Sequence, residues 1–189
     1  MKVPFGRRIC IVALCSIFLL QPLAAAQEAR LTNIIVTNTR DDLLVYLNVE
    51  GAFSDQVNEA ILSGVSVSFS FILNLYRARN FWLDEEIADI KLTHRIKYDS
   101  LKKTFTVRRS WENGKPLTTQ SFEEAQELMT EVDSLKVVSL SNLEKGMQYQ
   151  IRAKAELSKF TLPFYLHYVF FFLSFWDFET DWYTIDFIF

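Results

Sequence analysis

Three stretches of the chain alternate apolar with small or polar residues, and this alternation constrains the fold more than any other feature. The clearest runs from Val65 to Leu75, where aliphatic and aromatic residues alternate with serines and Asn74. Residues 87–98 and 147–157 repeat the pattern. Successive side chains of a β-strand point to opposite faces, so each stretch predicts a strand with one face in a core and the other in solvent.

Paired apolar runs predict two hairpins. Residues 31–39 and 43–50 are rich in β-branched residues and flank Arg40-Asp41-Asp42. Residues 87–98 and 101–111 flank Asp99-Ser100. Short polar segments between strand-like runs are typical of turns.

Two short helices interrupt the strands. Ser54 is placed to cap a first helix, and Gly64 follows where a helix stop is expected. Ser121 and Glu124 have the spacing of a capping box and predict a second helix over residues 121–133. Its apolar residues recur at helical intervals through Val132 and on to Leu135.

Many alternating strands with two short helices predict a mainly β fold. We expect an antiparallel β-sandwich or flattened barrel of about eight strands. Residues 27–189 are long enough for one domain of ordinary size, and we expect one.

The N-terminus has the three parts of a cleavable secretory signal over residues 1–26. Lys2, Arg7 and Arg8 precede an apolar run from Ile9 to Leu20, and small residues end at Ala26. This order predicts cleavage before Gln27 and export to the periplasm, or to a membrane surface that faces it.

Export of this chain restricts the chemistry of the remainder. Both cysteines, Cys10 and Cys15, lie inside the signal, so the remainder forms no disulfide and uses no thiol chemistry. Removing three basic residues from a chain of net charge −3 leaves −6. This acidic balance argues against nucleic acid as a partner.

Five short motifs carry a family resemblance. They are Leu75-Tyr76-Arg77-Ala78-Arg79 with Phe81-Trp82, residues 94–99, residues 121–125, Leu162-Pro163, and Asp181-Trp182-Tyr183. In order and spacing they resemble the bacterial domain-of-unknown-function family 4390, from about Leu31 to Phe187. The resemblance implies an exported bacterial protein of unassigned activity. The chain departs from the family pattern after Pro163, where family members carry polar or basic residues.

No catalytic, cofactor or metal signature is present in the sequence. It contains no phosphate-binding loop, paired-histidine zinc helix or serine elbow. His94 and His167 lie in apolar surroundings and are expected to be packed rather than reactive. The alternating carboxylates Asp177, Glu179 and Asp181 are typical of a solvated strand edge rather than of a calcium site. We therefore expect no enzyme and no cofactor.

The candidate sites are binding surfaces. The first combines residue types enriched at binding hot spots: Tyr76, Arg77, Arg79, Phe81 and Trp82. The second is a basic patch for anionic headgroups or phosphorylated sugars, which includes Arg95 and Lys97. Charge matching with the acidic second helix is the alternative explanation of that patch.

Residues 160–176 contain no charged side chain. In order of preference, this stretch is a buried core segment, an interfacial membrane contact or an apolar surface for a partner. Together the observations favour a non-enzymatic exported binding or accessory domain at the bacterial cell envelope. Its candidate partners are an envelope or inner-membrane protein and, peripherally, the membrane face.

The alternation of Tyr183, Ile185, Phe187 and Phe189 leaves an alternative function open. A terminal alternating strand is also found in small integral outer-membrane β-barrels.

The export prediction is tested by fractionating cells that express a C-terminally tagged chain. Mass spectrometry of the product should give an N-terminus at Gln27, in the soluble periplasmic fraction. Retention in membranes after a carbonate wash, with Met1 still present, would contradict cleavage.

Overall fold

The computed structural model describes residues 29–79, 82–112, 115–161 and 179–189. These residues form nine strands and two α-helices. The strands are β1 (Arg30–Asn38), β2 (Asp42–Glu50), β3 (Ser66–Arg77), β4 (Glu85–Asp99), β5 (Thr104–Arg109), β6 (Leu117–Thr119), β7 (Glu131–Ser139), β8 (Gln148–Thr161) and β9 (Tyr183–Ile188); the helices are α1 (Asp55–Leu62) and α2 (Phe122–Thr130). The predicted signal and the predicted turn at Asn113-Gly114 lie outside the described residues.

All described strand pairs are antiparallel and belong to two sheets. The smaller sheet has the order β1-β2-β7, and the larger has the order β6-β5-β4-β3-β8-β9. Buried side chains of both sheets form one core cluster, which includes Val45 of β2, Phe69 of β3 and Ile151 of β8. The prediction of a mainly β, antiparallel sandwich with two short helices is confirmed, with nine strands described instead of about eight.

Both predicted hairpins are present. In the turn between β1 and β2, the Thr39 hydroxyl accepts the backbone N–H of Asp42 at 3.0 Å. In the turn between β4 and β5, the Asp99 carboxylate accepts the N–H groups of Leu101 and Lys102 at 3.0 and 3.1 Å. Short polar side chains thus stabilise both reversals of the chain.

The burial predicted for the inner face of β3 is confirmed, whereas the solvent exposure predicted for its outer face is wrong. The inner row, from Val67 to Leu75, is buried as expected. The outer row was expected to face solvent, yet Ser68, Ser70 and Asn74 are buried too, with Ser70 only 2% exposed.

The burial of this outer row follows from the central position of β3. Its neighbours β4 and β8 carry long side chains that reach across it, as in the ion pair of Lys91 on β4 with Glu156 on β8 at 2.9 Å. The Arg95 guanidinium donates to the Ser68 hydroxyl at 3.2 Å. Serine is small enough to lie beneath such side chains, so a polar row can be buried without an apolar layer above it.

Helix α1 begins and ends where the sequence predicts. The Ser54 hydroxyl accepts the N–H of Val57 at 3.3 Å. At the other end Gly64 has φ +86°, and the N–H groups of Gly64 and Val65 bond to the carbonyls of Ile61 and Ala60. This is the Schellman arrangement, in which a residue with positive φ satisfies the last carbonyls of a helix.

Helix α2 begins at the predicted cap but ends earlier than predicted. The Ser121 hydroxyl accepts the N–H of Glu124 at 3.1 Å, while the Ser121 N–H bonds to Thr119 instead of completing the capping box. The helix ends at Thr130, and Val132 and Leu135 lie on β7.

A β-bulge explains why Val132 and Leu135 have helical spacing on a strand. Val45 of β2 pairs with Leu135, whereas Leu47 pairs with Val132, so β7 has one extra residue between them. Ser134, with φ +53°, lies in this bulge. The bulge turns two residues three positions apart toward the same core.

In the part of the chain that the structure describes, neither helix has the length and apolar composition required to cross a membrane.

Replacing Gly64 with alanine tests the helix end. The positive φ strains any residue with a Cβ, although the nearest atom to that Cβ would be the Tyr98 carbonyl oxygen at 3.9 Å, so no clash adds to the strain. We expect Gly64→Ala to lower the free energy of unfolding by about 1 kcal/mol in chemical denaturation. The control is Ser63→Ala, an exposed position with φ −77°, which should leave stability nearly unchanged. Equal effects of the two substitutions would contradict this explanation.

Candidate binding site

The first predicted surface lies at one corner of the larger sheet, where β3 ends and β4 begins. Tyr76 and Arg77 are the last residues of β3 and pair with Glu86 and Glu85 on β4. On the other side Arg77 pairs with Tyr149 near the start of β8. Three strand ends thus fix the backbone at this corner.

Arg77 is held between two carboxylates. Its guanidinium donates to Glu85 and to Glu144, and Arg79 donates to the same Glu85. These hydrogen bonds raise the pKa of Arg77, and those from Arg77 and Arg79 hold the pKa of the Glu85 carboxyl below its usual range. Arg77 therefore stays charged and fixed at the base of the corner.

Tyr76 points to the opposite face of the sheet from Arg77. Its hydroxyl donates to Glu86 at 3.4 Å, and the Arg152 guanidinium lies 4.8 Å from its ring centre. Desolvation raises the pKa of Tyr76, and the negative charge of the neighbouring Glu86 carboxylate raises it further. The structure therefore separates Tyr76 from the arginines with which the sequence grouped it. Phe81 lies outside the described residues.

Arg77, Arg79 and Trp82 line a groove of about 690 Å³, named here the corner groove. Its other lining residues are Ala78, Glu144, Gly146, Met147, Gln148 and Ile188. Trp82 is 82% exposed, its neighbour Leu83 is 92% exposed, and Met147 and Ile188 are 44% and 76% exposed. An open groove thus carries large apolar side chains in contact with water.

Sequence reasoning missed Glu144, Met147 and Ile188 as members of this surface. They come from the connection before β8 and from β9, far from Arg77 along the chain. One signal was available, since Ile188 is an apolar residue on the face of β9 opposite Ile185 and Phe187.

The predicted basic patch is a separate surface. Arg95 and Lys97 are exposed on the outer face of β4, and Arg95 pairs directly with Arg108 of β5. On its other side Arg95 pairs with Ser68 of β3, which lies nine residues before Arg77. Roughly 30 Å of strand therefore separate Arg95 from the corner groove. The structure does not bring the two predicted surfaces together.

Charge matching beside the second helix involves Arg109, a further basic residue of the β4–β5 hairpin, although neither of its acidic partners lies on α2. Arg109 is buried, and its guanidinium lies 3.1 Å from Glu112 and 3.8 Å from Glu131, just past the end of α2. Within the described ranges, no ion pair neutralises Arg95 or Lys97.

His94 is part of the core. Its ring lies between Phe71 and Trp111, with both ring centres at 4.5 Å. Its Nδ1 lies 2.9 Å from the Met129 carbonyl oxygen, and its Nε2 has no partner among the described atoms. Burial, together with the nearby charge of Arg109, lowers the pKa of His94 to about 3. His167 lies outside the described residues.

The predicted carboxylate row is partly described. Asp177 lies outside the described residues, Glu179 pairs with Lys154, and Asp181 is exposed. The described residues contain no cluster of three or more His, Cys, Asp or Glu side chains that could hold a metal ion.

Fold and groove together define a small β-sandwich with an exposed, apolar and arginine-lined corner. Residues 26–186 match the family model described as a domain of unknown function, DUF4390, and the chain belongs to this family. No curated protein and no solved structure matches the chain.

The buried His94 predicts a specific dependence of stability on pH. The folded-state pKa of about 3 lies below the value near 6.5 expected for the unfolded chain, so below about pH 6.5 the unfolded state binds a proton that the folded state does not. Stability from this group is complete above pH 6.5 and is lost as the pH falls toward 3, by up to about 1.4 kcal/mol per pH unit.

Comparison with His94→Phe in denaturant unfolding isolates this contribution. Between about pH 6.5 and 4 the wild type should lose stability more steeply than the variant. In the folded wild type, NMR should show a neutral His94 ring at pH 5. A ring that titrates near its ordinary pKa of about 6.5 would overturn the assignment, whether or not the variant folds.

Proposed function

We propose that this chain is a non-enzymatic, exported domain that binds a protein partner at the bacterial cell envelope through the corner groove. The observation that carries the proposal is a groove that combines a fixed arginine with three exposed apolar side chains, those of Trp82, Met147 and Ile188. The exposed Leu83 directly follows Trp82 in the chain.

The apolar side chains support a protein as the occupant. Single exposed apolar residues are common on protein surfaces, but a contiguous group of large ones marks an interaction site. Tryptophan and arginine are also the residue types most enriched among those that dominate binding energy. Burying Trp82 and Leu83 against a partner would remove their apolar area from water.

The charges of the groove favour a largely uncharged contact. Arg77 and Arg79 are balanced by Glu85 and Glu144, so the groove presents little net charge. Arg79 is the more exposed of the two arginines and has further donors for a carbonyl or carboxylate of the partner. Because Arg77 is already fixed, little side-chain entropy is lost there on binding.

Other parts of the proposal rest on the sequence and the core. The signal-like residues 1–26 and the confinement of both cysteines to them support export. His94, one of the chain's two histidines, packs in the core, which supports a role other than catalysis.

Peripheral contact of Arg95 and Lys97 with the membrane face stays a prediction. The alternative of an integral outer-membrane barrel finds no support in the described strands, which lie in two separate sheets.

A matched pair of leucines tests the groove. Leu83 directly follows the groove residue Trp82 and is 92% exposed, while Leu101 is 95% exposed in the turn between β4 and β5, at the other end of β4. A photoreactive amino acid at position 83, introduced in cells, should crosslink to a discrete envelope protein, and the same residue at position 101 should not.

The crosslinked protein is then identified and purified, and its affinity for the chain is measured. Trp82→Ala should raise Kd at least about tenfold, while Leu101→Ala should leave it unchanged. Equal affinities for the wild type and Trp82→Ala, or equal crosslinking from both positions, would overturn the proposed site.

A further inference from the structure

The four strands at the sheet edges of the described structure differ in how well they resist pairing with another strand. Edge β6 has three residues. Edges β1 and β7 each carry a bulge beside β2, with Asn33 at φ 51° and Ser134 at φ 53°. Short length and bulges are devices that block edge pairing. In contrast, β9 pairs with β8 over six consecutive residues without a register shift, so its outer edge is regular.

The hydrogen bonds of Phe189 fix which backbone groups of β9 face that outer edge. The N–H of Phe189 donates to the Met147 carbonyl at 3.2 Å, and its carbonyl accepts from Gly146 at 2.5 Å. Both groups therefore point toward β8. The backbone N–H and C=O groups of successive residues point to alternate sides of a strand, so those of Thr184, Asp186 and Ile188 point away from β8.

The side chains along this edge are accessible and nearly uncharged. Ile188 is 76% exposed, and Trp182 and Tyr183 are about half exposed. Asp186 is the one charged residue of β9, and its carboxylate accepts a hydrogen bond from the Gln150 amide at 2.9 Å. The edge thus lacks the lysines and prolines that commonly block strand addition.

We propose that β9 pairs with β9 of a second copy of this chain, antiparallel about a two-fold axis at Ile185. The two larger sheets would then join into one continuous sheet of twelve strands, six from each copy. The outward backbone groups of Thr184 would bond to those of the partner's Asp186, and the reverse. A two-fold axis makes every such contact twice.

This register is self-complementary in both chemistry and charge. Trp182 lies opposite the partner's Ile188, and Tyr183 lies opposite the partner's Phe187, so apolar residues meet on each face. On the outer face, Thr184 lies between Arg152 of β8 on one side and the partner's Asp186 on the other. The negative charge of the partner's Asp186 thus lies in the same cross-strand row as the positive charge of Arg152. A shift of one residue in the axis, to Asp186, would place two carboxylates opposite each other, which is unfavourable.

Single cysteines test the axis directly. In a full chain with Cys10→Ser and Cys15→Ser, the introduced cysteine is the sole thiol, whether or not residues 1–26 are removed. At the axis the two Ile185 Cα atoms would lie about 4.5 Å apart, as in a non-hydrogen-bonded pair, which a disulfide can span. Ile185→Cys should therefore form a disulfide-linked dimer under mild oxidation. Thr184→Cys and Asp186→Cys should not form such a dimer. With the axis at Ile185, Thr184 lies opposite the partner's Asp186, so two cysteines at the same position would be two residues apart along the strands.

Sedimentation provides a second measurement without a new thiol. The wild type should approach twice the monomer mass as its concentration rises. Thr184→Pro removes an N–H that faces the open edge and leaves the pairing with β8 intact, so it should remain monomeric, while Thr184→Ala should dimerise. A monomeric wild type at all concentrations, or disulfide dimers from position 184 or 186 instead of 185, would overturn the proposal.

Discussion

The pairing of β3 with β4 on one side and β8 on the other is the interaction on which the rest of the structure depends. β3 supplies Phe69, Phe71 and Leu73 to the core, and it also buries Ser68, Ser70 and Asn74 on its outer face. Because each neighbour pairs with it over eleven residues, the positions of β5 and β6 beyond β4, and of β9 beyond β8, follow from this central strand. A change in the register of β3 by one residue would turn its aromatic row to the outer face.

That pairing also builds the corner groove. Arg77 lies at the end of β3, opposite Glu85 on β4, so the antiparallel register itself brings base and acid together. The connection before β8 then adds Glu144 to the same guanidinium. The Tyr149 hydroxyl, buried beside Arg77, accepts the backbone N–H of Glu144 at 2.8 Å and fixes that connection. Strand pairing and two ion pairs thus hold Arg77 in place within the groove, which lowers the ordering cost of a recognition surface built around it.

The sequence predicted local structure well where one pattern had one physical cause. Ser54, Ser121 and Gly64 act within a single turn, and their roles were legible from neighbouring residues. The helix after Ser121 was extended too far because the bulge at Ser134 gives Val132 and Leu135 the spacing of a helix face. The sequence grouped Arg77, Arg79 and Trp82, but it did not add Met147 and Ile188 to them, because these two residues join the groove through sheet order, which alternation along one strand does not specify.

The groove and the β9 edge meet at Ile188, and this shared residue connects the two proposals. Ile188 lines the groove and also lies on the strand edge that a second copy would cover. If partner binding and self-pairing both involve Ile188, each must change the free energy of the other by the same amount, because thermodynamic linkage is reciprocal. Trp82 lines the groove and lies outside β9, whereas Thr184 and Ile185 lie on β9 and do not line the groove, so substitutions at these positions separate the two processes. If Ile188 can contact only one of the two at a time, partner binding and self-pairing weaken each other. If it contacts both at once, the two processes can occur together.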